Sequence, residues 1–361
     1  MLSDIIIQKI RQEGPVPFRD FMEMALYYPE SGYYTSLPEK IGSAGDFYTS
    51  SNLTAAFGAM IGRQLEQMWS LMGKGPFAIV EYGAGTGQFC QDILNYCRHH
   101  ADFYDELHYH IIEKSPSLQE KQKRHLPDKV SWHASLSEIG PVTGCVLSNE
   151  LIDNFSIHQV VMEEELMEVY VDHSNNDFKE LLAPAGQALK DYLTALKVDL
   201  PKGFRTEVNL EAIEWIKEIA ASLQRGYVIT IDYGYPSAAL YSGSRSNGTL
   251  VCYNNHSIND NPYRHIGRQD ITSHVNFSAL CHWGLMNGLV CCGLRNQAQF
   301  LLALGIKNYF REMDEPGRDV VEMAKREAQL THLLLIDMGM KYKVLIQSKG
   351  RLSKDLMGLT L

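Results

Sequence analysis

The chain has 361 residues, of which 45% are hydrophobic and 21% charged, the composition of an ordinary globular protein. Its formal net charge of −10 argues against a nucleic-acid backbone as the main partner, because phosphate binding draws on clustered Lys and Arg. Apolar runs fall short of the roughly 18 residues of a membrane helix, and seven cysteines without a Cys-x-x-Cys pair predict neither a disulfide framework nor a metal site.

In chain order, a mostly helical region over residues 1–75 is interrupted by YYPESGYYTSLPEKIGSAGDFYTS, which is dense in turn formers. Short apolar strands are predicted at 77–82, 107–113, 129–133, 144–150, 226–234, 289–294 and 341–348, with a strand pair over 158–172. Helical patterns occupy 86–100 and 210–223. This alternation predicts an α/β fold with a doubly wound parallel sheet, in which ligands bind beyond the carboxyl ends of the strands.

Three glycines follow the first of these strands, in VEYGAGTGQF. Gly83, Gly85 and Gly87 allow a sharp turn and a close approach of a ligand to the main chain. A dinucleotide fingerprint would require a glycine where Gln88 stands, and a phosphate-binding P-loop would require Gly-Lys-Ser/Thr. The order acid-x-Gly-x-Gly-x-Gly, beginning at Glu81, instead resembles motif I of class I S-adenosylmethionine-dependent methyltransferases. The acid suits a cofactor with a cationic amino group and a sulfonium, and the alternative is a tight turn without a ligand.

Two further positions fit the same cofactor. Glu113 ends the second strand, where a carboxylate can accept hydrogen bonds from both ribose hydroxyls, although an NAD site uses the same arrangement. Trp132 follows in the third strand, and we expect it either to flank the adenine ring or to pack in the core.

The fourth strand ends in SNELIDNF, where this fold presents residues to the transferred methyl group. The Asn/Asp-Pro-Pro-Tyr/Phe signature expected of enzymes acting on adenine N6 or a glutamine amide is absent. Glu150 and Asp153 share a face if the chain is helical there, and two carboxylates can hold a guanidinium through bidentate hydrogen bonds. In the alternative, Asp153 caps the next helix and Glu150 acts alone.

Nine blocks in order give a more specific resemblance, to the MidA-like class I methyltransferases, over about residues 5–305. The blocks are FMEMALYYPESGYY, GDFYTSSNLTAAFG, VEYGAGTGQFCQDIL, IIEKSPSLQEKQ, SNELIDNFSIHQ, IDYGY, GTLVCYNNH, DITSHVNFSAL and GLRNQAQFLLALGI. Mitochondrial members of this family are protein-arginine methyltransferases that act as assembly factors for respiratory complex I.

The resemblance implies a Rossmann-like methyltransferase core with an N-terminal helical cap and an insertion between the fourth and fifth strands. The expected parts are the cap at 1–75, the first part of the core at 76–157, the insertion at 158–225 and the remainder at 226–361. The resemblance further implies that Asp46 and Thr49, in a lid, contact the cofactor. It places Asn149, Glu150 and Asp153 in the active site, and Asp232 and His256 in the pocket that binds the methyl acceptor. Asp46 is equally explained as a turn residue, and we favour a structural role for Asp232.

The chain departs from the family pattern at three positions, where Asn276 replaces an aspartate, Val251 an arginine and Ala84 a proline. The resulting hypothesis is a class I methyltransferase that uses S-adenosyl-L-methionine and acts on a protein arginine, with a respiratory-complex subunit as one candidate partner. The alternative is a non-catalytic assembly factor that retains the fold. The N-terminus lacks a targeting pattern, which predicts a cytoplasmic protein of bacterial type without membrane insertion. The acceptor, the number of methyl groups added and the oligomeric state are not predicted.

Overall fold

The computed structural model describes residues 1–36, 54–254, 257–312, 320–334 and 338–360. The helices in this part of the chain are α1 (Leu2–Glu13), α2 (Phe18–Tyr27), α3 (Ala55–Leu71), α4 (Gln88–Cys97), α5 (Ala101–Glu106), α6 (Pro116–Lys123), α7 (Gln187–Ala195), α8 (Leu210–Ser222), α9 (Ser237–Leu240), α10 (Phe277–Met286), α11 (Gln297–Ala303), α12 (Ile306–Glu312), α13 (Val320–Leu334) and α14 (Met338–Lys341). Across the described ranges, no helix has the length and apolar character needed to cross a membrane.

The strands are β1 (Val16–Pro17), β2 (Phe77–Tyr82), β3 (Leu107–Ile112), β4 (Val130–His133), β5 (Val142–Asn149), β6 (His158–Met162), β7 (Leu166–Ser174), β8 (Asp177–Pro184), β9 (Arg205–Val208), β10 (Leu223–Tyr235), β11 (Val251–Asn254), β12 (Ser257–Asn259), β13 (Asp270–Thr272), β14 (Val275–Asn276), β15 (Val290–Asn296) and β16 (Tyr342–Lys349). The predicted apolar runs all became strands, and the run at 77–82 has the same bounds in the structure. The predicted strand pair over 158–172 is the β6–β7 hairpin.

The described chain divides into two compact units. One, here called the insertion unit, contains residues 1–36, 152–215, 234–254 and 257–282. The other, here called the sheet unit, contains residues 54–151, 216–233 and the described part of 283–360.

The sheet unit is built on one large sheet with the strand order β4-β3-β2-β5-β10-β16-β15. The first five of these strands run parallel to one another, as predicted. However, β16 runs antiparallel to both β10 and β15, so the sheet is mixed rather than parallel. Apolar periodicity is the same for buried strands of either direction, and the sequence pattern therefore did not distinguish them. The predicted α/β fold class is confirmed.

The strand order places a topological switch point between β2 and β5. The chain leaves β2 towards β3 on one side and enters β5 on the other, so a crevice opens at the carboxyl ends of these two neighbours. On one face of the sheet, helices α3 and α4 cover the core, where the rings of Phe57 and Phe89 stack with centroids 5.2 Å apart. The site described below lies at the carboxyl edge.

The insertion unit has its own core beneath an antiparallel sheet. Strands β1, β7, β6 and β9 pair in that order, with β8 joined to β7, and a small sheet has the order β12-β11-β13. An aromatic cluster packs inside it, with the ring of Phe21 centred 5.1 Å from Tyr263 and 5.8 Å from Phe178. This second core is what allows the residues between β5 and β10 to form a unit rather than a loop.

Candidate active site

The turn between β2 and α4 exposes main chain because its three glycines all adopt left-handed backbone conformations. The φ angles are 65° at Gly83, 53° at Gly85 and 82° at Gly87, a region that costs other residues roughly 1–2 kcal/mol each. The Gly87 amide donates to the Ala84 carbonyl at 2.8 Å and closes the turn. This conformation explains why the sequence carries glycine at these positions.

Gln122, on α6, connects this turn to the next strand. Its side-chain amide nitrogen lies 2.9 Å from the Gly85 carbonyl oxygen and 3.4 Å from Glu113 Oε2, and its amide oxygen accepts from Trp132 Nε1 at 2.8 Å. The residue is fully buried. Sequence reasoning missed it, although its position four residues after Leu118, on the helix stripe that faces the core, was a usable signal: a polar side chain there needs partners.

Glu113 is held at the end of β3 by two donors. Its Oε1 accepts from the Ser115 amide at 2.9 Å, while Oε2 faces Gln122. Burial raises the pKa of Glu113, and the Ser115 and Gln122 hydrogen bonds oppose that shift. Each carboxylate oxygen has a second lone pair, so the group is oriented and still able to accept from a diol.

Trp132 packs partly against the core, which was one of its two predicted environments. The ring is partly buried against the core, its N–H is satisfied by Gln122, and the Lys123 ammonium lies 5.4 Å from the ring centroid. Contact with an adenine ring therefore stays a prediction for this residue.

Glu81 lies deeper than its motif position suggests. It is 2% exposed, and Tyr109 donates to its Oε2 at 2.6 Å, which ties β2 to β3. Burial raises the pKa of Glu81 to about 7, against the opposing effect of the Tyr109 hydrogen bond. Its contact with a cofactor cation stays a prediction.

The turn after β5 is the second element of the edge with left-handed backbone, and here the residue is not glycine. Glu150 has φ 53°, which is uncommon for a residue other than glycine. Its amide donates to the Ile231 carbonyl at 2.9 Å, and the next amide, of Leu151, donates to Asp232 Oδ2 at 3.3 Å. Strained conformations persist where the surroundings over-determine them, and they concentrate at functional sites.

The Glu150 carboxylate is fixed as firmly as its backbone. Asn149 Nδ2 donates to Oε1 at 3.2 Å, and the Tyr342 hydroxyl donates to Oε2 at 2.9 Å. Tyr342 begins the last strand and was not anticipated from the sequence. Two donors on separate oxygens define the plane of the carboxylate, which is what a planar, bidentate ligand would require.

Asp232 has a backbone-holding role in the structure. It is fully buried, and besides Leu151 it accepts from the amide of Tyr233 at 2.8 Å. This geometry supports the structural alternative. Its predicted partner in the acceptor pocket, His256, and the predicted lid residues Asp46 and Thr49 lie outside the described residues.

Asp153 belongs to the insertion unit and lies in a short 3₁₀ turn, Ile152–Asn154. It is 4% exposed, Asn154 Nδ2 donates to its Oδ2 at 3.3 Å, and the Ser273 amide donates to its main-chain carbonyl. The predicted shared helical face with Glu150 required a helical backbone at that residue, and the left-handed conformation there does not provide one.

Two tyrosines surround this aspartate and were quoted in the sequence only as part of a block. Tyr34 donates to Asn154 Oδ1 at 2.7 Å and to Asp270 Oδ2 at 2.9 Å, and its ring stacks on Tyr27 at 5.6 Å. Burial raises the pKa of both tyrosines well above the ordinary value, reinforced by nearby carboxylates that include Asp153. The tyrosines are therefore neutral donors at physiological pH.

Two of the departures from the family pattern have simple structural explanations. Asn276 precedes α10, and its Oδ1 accepts from the Ala279 amide at 3.2 Å and from Ser237 Oγ at 3.1 Å. Asparagine caps a helix as well as aspartate does. Val251 pairs with Thr272 between β11 and β13, a position that suits a β-branched side chain.

Comparisons with known proteins agree with this geometry. A sequence profile of S-adenosyl-L-methionine-dependent methyltransferases matches residues 60–295, well over half of the chain. The "protein arginine methyltransferase NDUFAF7 homolog, mitochondrial" of Caenorhabditis elegans is 28% identical over 95% of this chain and 85% of its own length. The homolog of Drosophila melanogaster is 27% identical over 81% of this chain and 72% of its own length.

Among solved structures, a protein from Burkholderia thailandensis bound to S-adenosyl-homocysteine superposes with a TM-score of 0.90. It is 29% identical, and the match covers 99% of this chain and 94% of that one. The native crystal structure of a protein from the same organism gives a TM-score of 0.88 at 29% identity.

Proposed function

This chain belongs to the family of S-adenosyl-L-methionine-dependent methyltransferases, and on that premise we propose that it methylates arginine side chains of a protein. One observation carries the proposal: a rigidly held carboxylate, that of Glu150, stands next to the glycine turn. A Cβ added to Gly83 would lie 2.8 Å from the Leu151 side chain, so the two turns are in direct contact. Related proteins from worm and fly are named protein arginine methyltransferases.

The residues at the carboxyl edge fit the methyl donor. The bare turn from Gly83 to Gly87 admits the methionine portion against the main chain, and Glu113 presents an oriented carboxylate to the ribose hydroxyls. Gln88 stands where the dinucleotide fingerprint requires its third glycine, so the turn suits a ligand without a pyrophosphate. When bound, S-adenosyl-L-methionine supplies an electrophilic methyl group on a sulfonium.

The acceptor is oriented by Glu150. Its carboxylate accepts N–H bonds from the planar guanidinium, which fixes the attacking nitrogen on the line of the methyl–sulfur bond. The nitrogen loses a proton on methylation, and the same carboxylate can accept it. Asn149 supports this orientation through Oε1, and Asp153 is proposed as the second carboxylate of the acceptor site.

The resemblance to the MidA-like family guides the choice of acceptor. It implies mitochondrial relatives that serve as assembly factors for respiratory complex I, so subunits of a respiratory complex are the first acceptors to test. The names of the worm and fly relatives place those proteins in mitochondria, whereas for this chain we propose the cytoplasm. Fractionation of the source cells, followed by immunodetection, distinguishes the two locations.

The proposal is tested by methyl transfer in vitro. The purified chain is incubated with methyl-labelled S-adenosyl-L-methionine and arginine-bearing proteins, and the products are hydrolysed and analysed for methylated amino acids. We expect the label in methylarginine. The label should disappear when the acceptor arginine is changed to lysine, and also when the Glu150→Gln variant is used in place of the wild-type enzyme. Label in another residue type would refute the acceptor. Cofactor binding without any transfer would favour the assembly-factor alternative.

A further inference from the structure

Tyr342 lies outside every segment that the sequence motifs identified and outside the matched residues 60–295. It begins β16, the strand that runs antiparallel between β10 and β15, and its register partner on β10 is Tyr233. The two rings meet edge to face with centroids 5.4 Å apart. The strand pairing and this ring contact together fix where the Tyr342 side chain stands.

The hydroxyl of Tyr342 contacts the side chain of Glu150, which lies 192 residues away in the sequence. It donates to Glu150 Oε2 at 2.9 Å, while Asn149 donates to Oε1. A carboxylate has about four lone-pair positions on its two oxygens. The two donors approach different oxygens, so together they define the plane in which the carboxylate faces a pair of N–H groups.

We propose that Tyr342 is a positioning residue that holds the Glu150 carboxylate in the orientation used for methyl transfer. This inference rests on the proposed function for the identity of the acceptor. The backbone of Glu150 is already fixed by its hydrogen bond to Ile231, so the remaining freedom lies in the side-chain torsions. A hydroxyl donor on a strand of the central sheet restricts those torsions.

The first test uses Tyr342→Phe, which removes one oxygen and keeps the ring packed on Tyr233. We expect kcat for methyl transfer to fall roughly 10- to 100-fold, the effect of losing one hydrogen bond to a charged group. The dissociation constant for S-adenosyl-homocysteine should change by less than about twofold. A purely structural role would instead lower the melting temperature and weaken both ligands while leaving kcat at saturation intact.

The matched control is Tyr227→Phe. Tyr227 stands near the other end of β10, and its hydroxyl also makes one hydrogen bond, to the Ser353 carbonyl at 3.0 Å. The same oxygen is removed from the same sheet, and we expect kcat to stay unchanged. An equal loss of kcat in both variants would overturn the positioning role.

A crystal structure of Tyr342→Phe tests the same point without reference to any acceptor. The Glu150 carboxylate should rotate away from its position or occupy several. A carboxylate that keeps its plane in the variant would refute the inference. If the carboxylate moves but the wild-type protein methylates no arginine, the positioning role stands and only the acceptor assignment fails.

Discussion

The glycine turn at residues 83–87 and the turn at residues 149–151 meet at one edge of one sheet, yet they reach left-handed backbone by opposite means. In the first, glycines adopt it without a steric cost, and the site is shaped by the absence of side chains. In the second, Glu150 adopts it against a cost, and hydrogen bonds to two other strands, β10 and β16, hold the turn there. The first turn suits binding, and the second suits chemistry.

The difference also decides what a sequence can reveal. The glycine turn is encoded by contiguous residues, so its ligand class followed from the order acid-x-Gly-x-Gly-x-Gly. The turn at Glu150 depends on Asp232 and Tyr342, which lie 81 and 192 residues from their partners. No local pattern specifies the register of β16 on β10 that brings Tyr342 to this place.

If the second turn serves chemistry and not cofactor binding, Glu150→Gln should have the largest effect on turnover. Removing one member of a charged hydrogen-bonded pair costs about 2–5 kcal/mol, so we expect methyl transfer to fall on the order of 10³-fold. Initial rates at saturating cofactor measure this. Transfer within about threefold of wild type would remove Glu150 from the mechanism.

The converse variant, Gly85→Val, should weaken cofactor binding and leave turnover at saturating cofactor unchanged. Valine disfavours the left-handed conformation and covers main chain that the ligand approaches, so we expect S-adenosyl-homocysteine to bind roughly 10- to 100-fold more weakly. Gly73→Val is the control, because Gly73 also has a positive φ, 90°, but a Cβ there meets nothing within 4 Å. Ligand-induced thermal shifts compare the two, and equal shifts would contradict the assignment.

A smaller loss of cofactor affinity, about five- to tenfold, is expected for Gln122→Leu. The variant keeps the side-chain volume but leaves the Gly85 carbonyl, the Glu113 carboxylate and the Trp132 N–H each without one partner. Gln91→Leu is the control, since Gln91 lies on the neighbouring helix and bonds only Asn95 among its described contacts. Fluorescence titration with S-adenosyl-homocysteine measures the difference, and unchanged affinity in Gln122→Leu would show that the bridge does not shape the site.

The last prediction concerns Glu81 and the pH dependence of stability rather than activity. Burial raises its folded-state pKa to about 7, above the unfolded value of about 4.3, so its ionisation destabilises the fold increasingly from about pH 4.3 to pH 7. Glu81→Gln should therefore stabilise the protein more at pH 8 than at pH 5.5, by at most about 4 kcal/mol at the higher pH. Denaturant unfolding at both pH values measures this. A gain that is the same at both would show that the carboxyl does not titrate in this range.

Saturating S-adenosyl-homocysteine sharpens the same experiment. If the ammonium group of the ligand lies beside Glu81, the bound ligand favours the ionised carboxylate. The difference in free energy of unfolding between Glu81→Gln and the wild type at pH 8 then becomes smaller. If the ligand leaves this stability difference unchanged, Glu81 contacts Tyr109 but not the ligand.

The fold and half of the site were therefore accessible from the sequence, for physical reasons. Buried strands and the glycine turn leave local signatures, so β2, Gly83 and Glu113 were placed correctly at one sheet edge. Strand direction at β16 was not accessible, because periodicity carries no direction. The hydrogen bonds of Gln122 were not accessible either. They join α6 to the glycine turn and so depend on how separate elements pack, which no local sequence pattern specifies.

The central claim is that the glycine turn binds the methyl donor while the turn at Glu150 acts on the acceptor. Calorimetric titration of the wild-type chain, Glu150→Gln and Gly85→Val with S-adenosyl-homocysteine, with NAD as the control ligand, tests it most directly. The account predicts micromolar binding to the wild type and Glu150→Gln, weak or absent binding to Gly85→Val, and no binding of NAD. Folded wild-type protein that binds NAD, or that binds neither ligand, would contradict it.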